Sequence, residues 1–144
     1  MLPSDVNGSD PKVSTKMHKK KTLLWLDDVR DPAFYDLWVR QYLGDEFYNR
    51  PESHQIVWVK SFDQFRKYLQ ANGVPDVVGF DHDLGGKMTG ADAAEFLCNL
   101  CVDELIPLPE YFTQSANPVG KANIHSKMDS ARKVIESNRV DSAN

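Results

Sequence analysis

The chain of 144 residues reads as one α/β domain: a doubly wound parallel sheet of about four strands with helices on both faces. Three observations predict this. Short apolar runs alternate with longer amphipathic ones, the rhythm of strand, crossover helix and parallel strand. The runs at 22–26, 56–59, 77–80 and 108–113 are short and largely apolar, as strands covered on both faces are. Three of the four end on clustered polar side chains, Asp27-Asp28, Asp81-His82-Asp83 and Thr113-Gln114-Ser115-Ala116-Asn117. In open α/β sheets the working site lies beyond the carboxyl ends of the strands.

Each element follows from local sequence. Residues 1–21 form a basic leader, expected to be disordered because 1–16 offer little to bury; the domain then spans 22–140 and a tail 141–144. Thr22–Leu26 is the first strand. Asp31-Pro32 opens a helix over Ala33–Leu43, with proline in its first turn. Asp45–Gln55 is polar and reads as a loop. Ile56–Val59 is the second strand, β-branched and aromatic. Ser61-Phe62-Asp63-Gln64 has capping-box spacing, and Phe62, Phe65, Tyr68 and Leu69 give the helix that follows an apolar stripe. Asn72-Gly73 ends that helix. Val77–Phe80 is the third strand, followed by a loop with Gly85, Gly86 and Gly90. A helix over Ala91–Glu104 turns Ala94, Leu97, Cys98 and Cys101 inward. Leu108–Thr113 is the fourth strand, Ser115–Gly120 a polar loop and Ile124–Ser137 the last helix. Cys98 and Cys101 lack a second pair of ligands and read as small buried hydrophobes. Trp25, Trp38 and Trp58 read as core aromatics.

Charge narrows the function. The leader carries five lysines against two aspartates, so against the whole chain's −4 the remainder carries −7. So acidic a body does not suit bulk duplex DNA. The basic run His18–Lys21 reads as solvated leader. No apolar run approaches the roughly 18 residues of a membrane span, and neither a signal-peptide core nor a disulfide framework is present. A cytoplasmic location without membrane contact is expected.

Asp27, Asp28 and Asp81 should meet at the sheet edge, with Asp83 if the strand persists that far, since alternate residues share a side. Crowded carboxylates take up a proton or a cation. Oxygen donors of this kind suit Mg²⁺ or Mn²⁺, which would offer an open position to a phosphate oxygen. Singly, Asp28 and Asp31 read as helix caps and Asp83 as a turn former; acids after two separate strands favour a metal site. Asp81 and His82 are the catalytic candidates, His82 as a general acid. Arg30 could clamp a phosphate through its guanidinium. Ser115 and Asn117 could hydrogen-bond one, or simply form a polar turn.

Leu-Trp-Leu-Asp27-Asp28 and Pro75-Asp-Val-Val-Gly-Phe-Asp81 resemble a response-regulator receiver domain, and Ser115-Ala116 matches its hydroxyl-alanine element. More narrowly, Asp-Asp-x-Arg-x-Pro at 27–32, Phe-Asp-His-Asp-Leu-Gly at 80–85 and Ser-Ala-Asn-Pro-x-Gly at 115–120 resemble the cyclic-phosphate-processing receiver family. The resemblance implies a receiver-like (flavodoxin-like) fold in a bacterial or phage-infected cell. It implies action on a cyclic phosphate of an RNA end or a small nucleotide. Two departures stand out. The receiver's fifth strand and its lysine have no counterpart, although Lys121 or Lys127 could approach from elsewhere. Gln114 stands where the narrower family commonly has histidine, and His125 lies nearby. The competing reading is a non-catalytic receiver-like module that binds a metal or phosphoryl group and a protein partner. A third takes Asp81-x-Asp83 as the acid pair of a haloacid-dehalogenase-type phosphatase, without the downstream residues that chemistry needs.

Overall fold

The computed structural model describes residues 20–35, 39–41 and 54–143. Nearly all of the expected leader, most of the 45–55 loop, and Trp38 lie outside the described residues. Four strands, β1 (Lys21–Leu26), β2 (His54–Val59), β3 (Val77–Phe80) and β4 (Glu110–Thr113), form one sheet in the order β2-β1-β3-β4. Every pairing is parallel. Three long helices, α1 (Phe62–Asn72), α2 (Gly90–Glu104) and α3 (Pro118–Ala143), alternate with the strands. Among the described residues no strand follows β4, as expected from the missing fifth strand.

The layers are unequal. Leu24, Leu26, Val78 and Phe80 point to the face covered by all three long helices, through Phe65 and Leu69, Leu97 and Cys101, and Ile124 and Met128. Leu23, Trp25, Val77 and Phe112 point to the other face, where Tyr35 and Val39 pack on them. Both cysteines are buried and unpaired; burial pushes each thiol up to about 11, which fits their reading as hydrophobes.

Several boundaries differ from expectation. The helix expected over Ala33–Leu43 begins as a 3₁₀ turn, Pro32–Phe34, because Asp31 Oδ1 caps Ala33 N–H at 2.9 Å and the helical conformation stops at Tyr35. Residues 39–41 are helical again. Strand β2 starts at His54 rather than Ile56, since Lys21 and Thr22 of β1 extend far enough to pair with His54 and Gln55. Strand β4 starts at Glu110 rather than Leu108, just after Pro109, which has no N–H to give a ladder. Helix α3 starts at Pro118, not Ile124, and runs past Ser137. Asn117 caps it through Oδ1, which accepts from Gly120 N–H at 3.0 Å, and proline suits the first helical position.

Gly79 in β3 keeps a crossing open. Gln114 lies buried at the end of β4 and donates from Nε2 to the Leu26 carbonyl of β1 at 2.9 Å. A Cβ at Gly79 would lie 3.0 Å from Gln114 Oε1 and from two Phe112 ring atoms. Gly79→Ala is therefore expected to lose about 1–3 kcal/mol through overpacking, read as a lower urea midpoint. An unchanged midpoint would show that the crossing is loose.

Candidate metal and phosphate site

The two central strands deliver the acids. Leu26 and Phe80 are in register, so Asp27 and Asp81 are the next residues out on strands about 4.8 Å apart. The chain steps from β1 to β2 on one side and to β3 on the other, which places this edge at the switch in strand order. Backbone bonds hold both exits: Asp27 N–H donates to Val59 O at 3.0 Å and Asp81 N–H to Leu26 O at 2.9 Å. Two tryptophans peg the loop between them, Trp58 Nε1 to Asp27 O and Trp25 Nε1 to Arg30 O, each at 2.7 Å. Trp25 lies in the core as expected; Trp58 is half-buried with Lys60 over its ring.

Asp27, Asp28 and Asp81 each place a carboxylate oxygen within 4.8 Å of the others. Asp27 and Asp81 are buried and Asp28 is half-buried. Gly85, in the left-handed region at φ 74°, brings the β3–α2 loop against Asp28; its Cβ would lie 3.1 Å from Asp28 Oδ2. Burial and the neighbouring Asp27 push the Asp81 carboxyl up to about 6, against the pull of Arg30. Three hard oxygen donors crowded into one acidic pocket fit a small divalent cation of the Mg²⁺ class.

Arg30 is built into this pocket. Its Nη1 lies 3.2 Å from Asp27 Oδ2 and 3.5 Å from Asp81 Oδ1, while Asp27 Oδ1 accepts from the Arg30 and Val29 N–H groups at 2.8 and 3.1 Å. Burial works against the guanidinium charge, but the bond to Asp27 and the charges of both acids outweigh it and raise its pKa.

Asp83 does not join the trio. Its exposed carboxylate faces His82 Nδ1 at 3.1 Å, because the strand ends at Phe80 and alternation no longer directs residue 83. Asp81, within the trio, and Asp83, turned to His82, thus have different partners. His82 is tucked against Gly120 of α3. Ser115 is buried, and its Oγ accepts from Asn117 N–H at 3.0 Å. The Asn117 carboxamide caps α3 with its oxygen and faces His82 Nδ1 at 3.5 Å with its nitrogen. Lys127 and His125 are engaged elsewhere: Lys127 pairs with Glu95 at 3.0 Å, and His125 Nδ1 meets the Tyr111 hydroxyl at 2.7 Å.

Sequence reasoning missed the supports. Gly90 touches the Asp81 and His82 backbone, Gly120 touches the His82 ring, and Thr89 and Asp92 form a capping box at the start of α2. The signal was present: glycine in a helix's first turn, where it costs helix stability, marks a close approach.

Residues 22–130 match the sequence profile of the cyclic-phosphate processing receiver domain. No curated protein matches the chain. Similar solved structures include the N-terminal domain of a response regulator/sensory box/GGDEF three-domain protein from Carboxydothermus hydrogenoformans. It is 17% identical with a TM-score of 0.45, over 82% of this chain and 98% of that one. NtrX from Brucella abortus is 15% identical with a TM-score of 0.43, over 86% of this chain and 29% of that one. No helix among the described residues is long and apolar enough to cross a membrane. With its profile match spanning most of the sequence and an acid trio at the switch point of a parallel sheet, the chain belongs to the cyclic-phosphate processing receiver family.

Proposed function

We propose that this domain is a metal-dependent hydrolase that opens a cyclic phosphate on an RNA terminus or a small nucleotide. The convergence of Asp27, Asp28 and Asp81 within 4.8 Å carries the reading, and family membership supplies the substrate class. The three acids would hold Mg²⁺ or Mn²⁺. Such an ion, when bound, neutralises phosphoryl oxygens and activates water. Arg30, anchored by Asp27 and Asp81, offers further N–H donors to a phosphate oxygen. The Ser115 hydroxyl, already accepting from Asn117 N–H, keeps its own hydrogen to donate to another. Water oxygen bonds to phosphorus, the ring P–O bond breaks, and His82 gives a proton to the departing ribose oxygen; the water's proton is lost to solvent. Exposed Val29 and Met88 in the loops after β1 and β3, Phe34 in the 3₁₀ turn and Val119 in the first turn of α3 would give a nucleobase apolar surface to lie on.

The test is a panel of 2′,3′-cyclic, 3′,5′-cyclic and linear nucleotides with Mg²⁺ or Mn²⁺ and with chelator. Turnover of a cyclic substrate, lost in chelator and in Asp81→Asn, is expected. No turnover across the panel would defeat the hydrolase reading. The non-catalytic module is the second reading. Arg30 favours it, because the guanidinium already balances part of the acid charge. That module would bind beryllofluoride at Asp81 or retain a protein partner while turning nothing over.

A further inference from the structure

We propose that Asp83 is a positioning residue for His82: its carboxylate holds the neutral imidazole in the Nδ1–H tautomer, so that Nε2 is the nitrogen that takes up and gives up the transferred proton. The consequence for catalysis rests on the proton-donating role given to His82 above; the tautomer itself does not.

The ring has little freedom of place. A Cβ at Gly120 would fall 2.3 Å from His82 Cγ and 2.7 Å from Cβ and Cδ2, so the imidazole lies directly on the first turn of α3. The main chain is fixed as well. His82 N–H donates to Asp81 Oδ1 at 2.9 Å, and His82 O accepts from Gly90 N–H at 2.8 Å. What remains undecided by packing is which ring nitrogen carries the hydrogen.

Two side chains make opposite demands on Nδ1. Asp83 Oδ1, 3.1 Å away, is a carboxylate oxygen and needs a hydrogen on Nδ1. Asn117 Nδ2, 3.5 Å away, is a donor and needs a bare Nδ1. Asn117 cannot settle the conflict by turning its amide over, because its Oδ1 accepts from Gly120 N–H at 3.0 Å as the cap of α3. The Asp83 bond is shorter and involves an ionised acceptor, and charge-assisted bonds are roughly twice as strong as neutral ones. Asp83 therefore wins, and the tautomer is the reverse of the Nε2–H form favoured by a free histidine side chain in water. This also gives Asp83 a function despite its place outside the acid trio.

The experiment is long-range ¹H–¹⁵N correlation of the full chain at a pH where the imidazole is neutral, with the His82 signals assigned by their loss in His82→Gln. Wild type is expected to show a pyrrole-type shift on Nδ1 and a pyridine-type shift on Nε2. Asp83→Ala is expected to exchange them, as Asn117 becomes the partner of Nδ1. A wild-type Nε2–H pattern, or an unchanged pattern in Asp83→Ala, overturns the proposal, and the wild-type spectrum tests it without any variant. With a cyclic nucleotide that is turned over, Asp83→Ala should lose roughly 10- to 100-fold in kcat, the scale on which partners that orient a histidine act, with KM little changed. An exchanged tautomer with unchanged kcat overturns the catalytic consequence. A wild-type Nδ1–H pattern in a protein that turns over nothing supports the tautomer assignment and defeats only the hydrolase reading.

Discussion

Gly90→Ala is expected to cost about 3 kcal/mol or more and to remove the divalent-cation response of the protein. The alanine Cβ would lie 1.8 Å from Asp81 O, 2.8 Å from Asp81 C and 3.0 Å from His82 Cα. All three are backbone atoms, so no rotamer relieves the overlap, and the start of α2 must separate from the end of β3. Overpacking that forces backbone to move lies at the upper end of single-residue costs. The bond from Gly90 N–H to His82 O at 2.8 Å would be broken in the same movement, and Asp81 would be carried away from Asp27 and Asp28. Urea unfolding reads the first effect and the Mg²⁺-induced rise in Tm the second. Gly86→Ala is the control. Nothing lies within 4 Å of its Cβ and its φ is not left-handed, so it should stay near wild type. A wild-type midpoint in Gly90→Ala would mean that the two backbones are not in contact.

The close approach at Gly90 also marks what sequence alone conveys here and what it does not. The central strands were readable because their apolar runs are short and stop on acids; β3 occupies Val77–Phe80 as expected. The convergence of Asp27, Asp28 and Asp81 was readable from fold logic, since residues leaving adjacent parallel strands must be neighbours. The place of Asp83 was not, because alternation is informative only inside a strand and the ladder ends at Phe80. The partners of Arg30 and Asn117 were equally hidden. Both are polar residues in loops, where a phosphate ligand and an internal cap carry the same composition. The start of α3 was missed for a related reason: Asn-Pro and glycine read as loop punctuation, yet Asn117 and Pro118 are a cap and a first helical residue.

Asp81→Asn is expected to stabilise the metal-free protein at neutral pH while removing its stabilisation by divalent cations. In the folded chain the Asp81 carboxyl is pushed up to about 6 from an ordinary 3.8, first by burial and then by Asp27. An acid with a raised folded-state pKa binds its proton more tightly folded than unfolded. Its ionisation therefore costs nothing below about 4, begins to cost as pH rises past that point, and costs fully above about 6. The full cost is about 3 kcal/mol at 1.36 kcal/mol per unit. In chelator, wild type should lose this amount between pH 4 and pH 7 from this group, and Asp81→Asn should not. Asparagine still accepts the His82 N–H now held by Asp81 Oδ1 at 2.9 Å but brings no charge into the pocket. Added Mg²⁺ should reverse the order of the two proteins at pH 7.5, because a ligand that binds only the folded state stabilises by mass action and the variant has lost one of its three acids. Urea titrations at pH 5 and pH 7.5, with chelator and with Mg²⁺, separate the terms. If the variant is the less stable protein in chelator at pH 7.5, then Arg30, 3.5 Å from Asp81, balances the acid fully, and the pocket has no unmet charge for a cation to neutralise.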